Sequence, residues 1–195
     1  SRASIREAMS ALEILGLIES KTSKGNFINV DRINASIDGT TMKDLLKNHS
    51  PFEVFETRCE IEPVIGALAA ERRTREDLGK LKKCLIRLNT LGQQAECDPK
   101  KIDNYMEEDR GFHLMIAHCA RNSVLFAVYS GVNLMLKEKH WKVLKMKCIV
   151  KDGNLKKFEK EHTDIFNAIR DSDSELARIN IREHLQFIKK SMFYE

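Results

Sequence analysis

The chain has 195 residues, enough for one ordinary domain or two small ones, and 42% of them are hydrophobic, which supplies a sizeable core. Nine glycines and three prolines are too few for a turn-rich β fold or a disordered chain, and no apolar stretch is long enough to span a membrane. The net charge of +4 is mild but uneven, because residues 137–160 carry nine lysines against three acidic residues. Such a run reads either as a solvated helix face or as an attractor of anions.

Cys59, Cys84, Cys97, Cys119 and Cys148 form no C-x-x-C pair, which leaves a zinc ribbon or redox motif without support. They read as reduced thiols of a cytoplasmic protein. No signal peptide opens the sequence, and a first residue other than Met leads us to expect a beginning inside a longer protein.

In chain order, residues 1–15 have the helical spacing Ile5, Ala8, Met9, Leu12, Leu15, and Gly16 stops the helix. Residues 17–20 and 27–30 read as short strands, joined by a polar segment that holds Lys24 and Gly25. Residues 31–50 read as a linker with a short helix near 42–46. From residue 51 onward the pattern is helical, with helices expected over 52–73, 75–95, 99–118, 122–147, 154–170 and 173–193. Thr74 and Asp77 have the T-x-x-D form of a helix start.

Arg2 and Arg6 share one face of the first helix, opposite Ile5, Met9 and Leu12. That face is either solvated or able to enter a DNA major groove, where arginine pairs with guanine edges or clamps phosphates. Asp109 and His113, at i and i+4, stack on one helix face. His162 lies in an apolar stripe with Phe158, Ile165, Phe166 and Ile169, and His184 in another with Ala177, Ile181 and Ile188. One inward histidine reads as a hydrogen-bonded core residue. Three, with an aspartate, are costly to bury unless they satisfy one another or share a cation. One carboxylate and three imidazoles suit zinc foremost, then nickel, iron or manganese, and do not suit calcium. His49, His118 and His140 fit such a site less well. Gly111, between two of these residues, suggests close packing against its helix.

The order Ser1-Arg2-Ala3-Ser4-Ile5-Arg6-Glu7-Ala8-Met9, then Leu12-Glu13, Gly16-Leu17-Ile18 and Gly25-Asn26-Phe27-Ile28, resembles the recognition helix and wing of GntR-family regulators. Asp109-x-x-Phe112-His113, Asn122-x-x-Leu125, Glu161-His162-x-x-Ile165 and His184-Leu185, preceded by Glu56-Thr57-Arg58 and Glu62-Pro63, resemble the FCD effector domain of the FadR-type subfamily.

The resemblance implies a mostly α protein. Residues 1–30 would be a partial winged helix-turn-helix without its first two helices, 31–50 a linker, and 51–195 a helical bundle of six to seven helices. It implies a metal on Asp109, His113, His162 and His184, as in the metal-binding members. It also implies DNA contacts through Ser1, Arg2, Arg6, Lys24 and Gly25, and puts Arg58 at the first-helix position that reaches an effector. An ion with open coordination positions can take a small organic acid, which Asn180, one turn before His184, is placed to hydrogen-bond. Arg58 is open to a second reading as a structural salt bridge, and Asn180 as a surface amide.

The expected function is a homodimeric, DNA-binding transcription regulator, a repressor, that binds operator DNA under control of a carboxylate metabolite, with no membrane partner. A metal-dependent hydrolase or a metal sensor is the alternative. No H-E-x-x-H or nucleophile motif supports an enzyme.

Overall fold

The computed structural model describes Met9, Glu13 and residues 18–21, 25–28 and 49–194. The chain divides into two units, Ser1–Asn48 and His49–Glu195.

In the first unit Met9 and Glu13 are helical. β1 (Ile18–Lys21) and β2 (Gly25–Ile28) form an antiparallel pair, with Ile18 opposite Ile28 and Lys21 opposite Gly25. Gly25 has φ +96°, a backbone region that side-chain-bearing residues rarely enter, which accounts for a glycine where the chain turns into β2. The strands expected over 17–20 and 27–30 are displaced from these by one or two residues. Ser1, Arg2, Arg6 and Lys24 lie outside the described residues, as do the short helix expected near 42–46 and the linker up to residue 48.

The second unit holds seven helices among the described residues: α1 (Pro51–Arg72), α2 (Arg75–Cys97), α3 (Ile102–Cys119), α4 (Ser123–Met135), α5 (Lys139–Ile149), α6 (Asn154–Arg170) and α7 (Ser174–Phe193). A 3-10 turn, Pro99–Lys101, leads into α3.

Several helix starts are written locally. Ser50 and Glu53 form a capping box at α1, and Thr74 and Asp77 form the expected one at α2. The side chains of Asn122 and Asp173 accept from backbone amides at the starts of α4 and α7. Each such cap supplies an acceptor to amides that have no partner within the helix.

The sequence pattern predicts one long helix over 122–147, and the structure divides it into α4 and α5. The chain tightens at Leu136, where the amides of Lys137 and Glu138 reach back only three residues, and Glu138 is extended. No proline or glycine marks the break. Burial of Leu136 and Trp141 on either side of it redirects α5, so that Trp141, Lys145 and Cys148 face the core.

α7 packs most extensively along α1, and α3 along α2. The core runs through Phe55, Leu88, Phe112, Phe158, Ile169 and Leu185, all fully buried. α1 and α7 approach closely at Gly66, where an added Cβ would clash with Ile181 Cδ1. Gly111 has no such neighbour within 4 Å, so the close packing suggested by its sequence position is absent.

Candidate metal centre

Asp109 and His113 come from α3, His162 from α6 and His184 from α7. The helical period puts each on the buried face of its element, and all four are at most 3% exposed. The three histidines each present a ring nitrogen, and these atoms lie within 4.8 Å of one another. The His162 and His184 ring centroids are 4.6 Å apart, and those of His113 and His184 are 5.4 Å apart and stacked. Asp109 Oδ1 lies 3.3 Å from His162 Nε2.

Outer partners set two of the three rings. His113 Nδ1 lies 2.8 Å from Glu62 Oε2, and His184 Nδ1 lies 2.7 Å from Glu161 Oε2. Each carboxylate takes the Nδ1 side and turns Nε2 inward, as the outer partners of metal-bound histidines do. Asp109 Oδ1, His113 Nε2, His162 Nε2 and His184 Nε2 are buried and lack hydrogen-bond partners. Three converging imidazole nitrogens, with a carboxylate oxygen 3.3 Å from one of them, are expensive to bury unless something between them accepts their lone pairs. The residues present therefore fit a divalent cation. Ligands on an ion with bonds of about 2.0–2.1 Å sit roughly 3–4 Å apart, which a modest contraction of the cluster would reach.

The electrostatics suit the same occupant. Burial, followed by the neighbouring His162 and His113, depresses His184 well below its ordinary value, and burial likewise lowers His162. Neutral imidazole is the form that ligates. Burial opposes ionisation of Asp109, but Lys145 and His162 prevail and hold its carboxyl well below the usual range. Glu62 is held at about 2 by Arg58 and His113 against its burial. Burial pushes Glu161 up to about 7, against the pull of Lys157 and Lys145.

Arg58, on α1, is 2% exposed. Its Nε donates to Glu62 Oε1, and its guanidinium sits over the rings of Phe55 and Trp141. It lines a cavity of about 30 Å³ together with Asp109, Arg110, Trp141 and Lys145. Arg58 thus makes the salt bridge of its second reading while bordering the space beside Asp109. Asn180 is half-buried and lines a separate groove with Asp164, Asn167 and Asp171. It precedes His184 by four residues, a rotation of roughly 40° around the helix, which places it at the edge of the buried stripe.

Sequence reasoning assigns no role to Glu62, Glu161 or Lys145, although Glu62 and Glu161 lie within the motifs quoted above. Lys145 carries a periodic signal of its own: Trp141, Lys145, Cys148 and Ile149 repeat at helical spacing and are all buried. Its place within a lysine-rich run hides that signal. His118 is half-exposed beside Asp77, and His49 and His140 are exposed.

Residues 53–187 match the FCD domain family, and the chain belongs to it. It is similar to the HTH-type transcriptional regulator LutR of Bacillus subtilis (strain 168), with 27% identity over 185 residues covering 95% of this chain and 81% of that protein. It is also similar to the Uxu operon regulator of Haemophilus influenzae, with 27% identity over 194 residues covering 99% of this chain and 68% of the relative. A solved Streptococcus agalactiae GntR structure shares the fold, with a TM-score of 0.57 and 21% identity over 97% of this chain and 82% of that one. The chain thus carries an FCD domain, and the two relatives named here are transcription regulators rather than enzymes. No helix among the described residues is long and apolar enough to cross a membrane.

Proposed function

We propose that the protein is a DNA-binding repressor whose effector domain holds one divalent transition metal ion on Asp109, His113, His162 and His184 and reads a small carboxylate beside it. The convergence of three buried histidine nitrogens from three helices, with Asp109 Oδ1 beside His162 Nε2, carries this reading. Zinc is the first candidate, and nickel, iron and manganese accept the same donors. When bound, the ion supplies positive charge and open coordination positions to which a hydroxy acid or dicarboxylate can chelate. This chain's own residues do the rest. Glu62 and Glu161 hold His113 and His184 in the ligating orientation, Phe112 and Phe158 pack against the imidazoles, and Arg58 and Lys145 make the adjoining cavity cationic.

Ser1, Arg2, Arg6, Lys24 and Gly25 are assigned to operator contact. A two-fold operator calls for a homodimer. The exposed apolar side chains of Val124 and Val128, one turn apart on α4, offer a surface for it. The test is metal content after purification without chelator, in wild type and in His162→Ala. About one ion per chain in the former and loss in the latter is expected. Equal, near-zero content in both would remove the metal from this reading.

A further inference from the structure

The cavity beside Asp109 is lined by several cations, and all but one have partners outside the metal cluster. Arg58 is bound to Glu62. Arg110 donates to Glu107 and to Asn133. Lys137 and Lys142 are half-exposed and face Glu107 at 4.0 Å and Asp103 at 3.8 Å. Lys145 differs: it is 3% exposed, and its Nζ is fully enclosed without a hydrogen-bond partner. The ammonium lies 3.4 Å from Asp109 Oδ2 and 5.0 Å from the centre of the Phe158 ring. Its nearest counter-charge is therefore a carboxylate whose other oxygen faces the histidine cluster, and Glu161 is a second, more distant acid within its field.

We infer that Lys145 is the internal counter-cation of Asp109, holding the carboxylate while no ion is bound, competing with a metal for it, and becoming the anion-binding group of the cavity once Asp109 ligates an ion. This rests on the metal reading of the site and adds to it a residue and a coupling. A buried ammonium is expensive unless it is paired and hydrogen-bonded. Beside a free Asp109 it is paired. Beside an Asp109 already committed to a cation it faces like charge, and a second anion restores the balance. The cavity, about 30 Å³, has room for a small polar group such as a carboxylate head and not for a long acyl chain. Metal and carboxylate then bind cooperatively, because each reduces the electrostatic cost of the other.

The experiment uses the full chain as wild type, Lys145→Met and Lys145→Arg, with zinc as the probe in competition with a chromogenic chelator. Lys145→Met, which removes the competing charge at similar length, is expected to bind zinc about tenfold more tightly than wild type. Lys145→Arg is expected to stay close to wild type. Adding malonate at buffered free zinc should tighten zinc binding in wild type and leave Lys145→Met unchanged. If the ion-free Lys145→Met protein is too unstable to titrate, the zinc-induced rise in Tm replaces the affinity, and it should exceed that of wild type. Equal zinc affinity and equal Tm shifts in wild type and Lys145→Met would overturn the counter-cation role while leaving the metal site standing. A malonate effect that is the same in both, or absent from both, would overturn the anion-binding role. A wild type without zinc affinity would overturn the metal reading itself.

Discussion

Glu62 Oε2 lies 2.8 Å from His113 Nδ1 while Oε1 of the same carboxylate accepts from Arg58 Nε, so one buried glutamate ties a guanidinium of α1 to a histidine of α3. Truncating either end leaves a charge stranded in the core. Arg58→Met is expected to lower stability by about 3–5 kcal/mol, read by chemical denaturation. Glu62→Gln should weaken metal binding by about 10–100-fold through loss of the ring's orientation. If Arg58 touched only the effector, Arg58→Met would leave the denaturation midpoint unchanged, and that result would remove the relay.

Asp77 gives the fold a defined acid response. Burial would raise its carboxyl, but the Thr74 amide and Arg121 hold it at about 2, below the ordinary value of 3.8. A depressed carboxylate contributes stability that is present above its unfolded value and lost as pH falls through its folded value. Asp77 therefore stabilises the protein above about pH 4, and that contribution declines towards pH 2. Asp77→Asn should flatten the fall in Tm across this window. Thr74→Ala, which removes the other half of the cap, should cost about 1 kcal/mol at neutral pH. Parallel wild-type and Asp77→Asn curves from pH 5 to pH 2 would contradict the assignment.

Two helical glycines should respond oppositely to alanine. A Cβ at Gly66 meets the Cδ1 end of Ile181, which is 1% exposed and must shift within the core, so Gly66→Ala should destabilise by about 1–3 kcal/mol. Gly111 meets nothing within 4 Å, and Gly111→Ala should stabilise by up to about 1 kcal/mol through helix propensity. Thermal melts of the pair separate the two cases, and a loss at Gly111 would show packing there after all.

The DNA assignment is tested at Arg6. Arg6→Ala should weaken specific operator binding by about 1–3 kcal/mol if the guanidinium reads a base. A similar loss on unrelated DNA would mark a phosphate contact. Unchanged affinity for both DNAs would remove Arg6 from the interface.

Much of this protein is legible in its amino-acid sequence. Period-3.6 stripes place His162 among Phe158, Ile165 and Ile169, and His184 among Ala177, Ile181 and Ile188, and every one of these residues is buried. The Thr74–Asp77 cap is readable because it depends on residues three apart. Such features are local, since backbone geometry alone decides which side chains share a face or reach a nearby amide. What only the tertiary structure decided involves partners far apart in sequence. Glu62 meets His113, Glu161 meets His184 and Lys145 meets Asp109 because separate helices pack together, and no spacing rule spans those distances. The division of α4 from α5 belongs to the same class: residues 136–138 contain no helix breaker, and burial of Leu136 and Trp141 sets the turn that brings Lys145 inward. Local periodicity chose which groups would be buried, and packing chose which charges they would meet there.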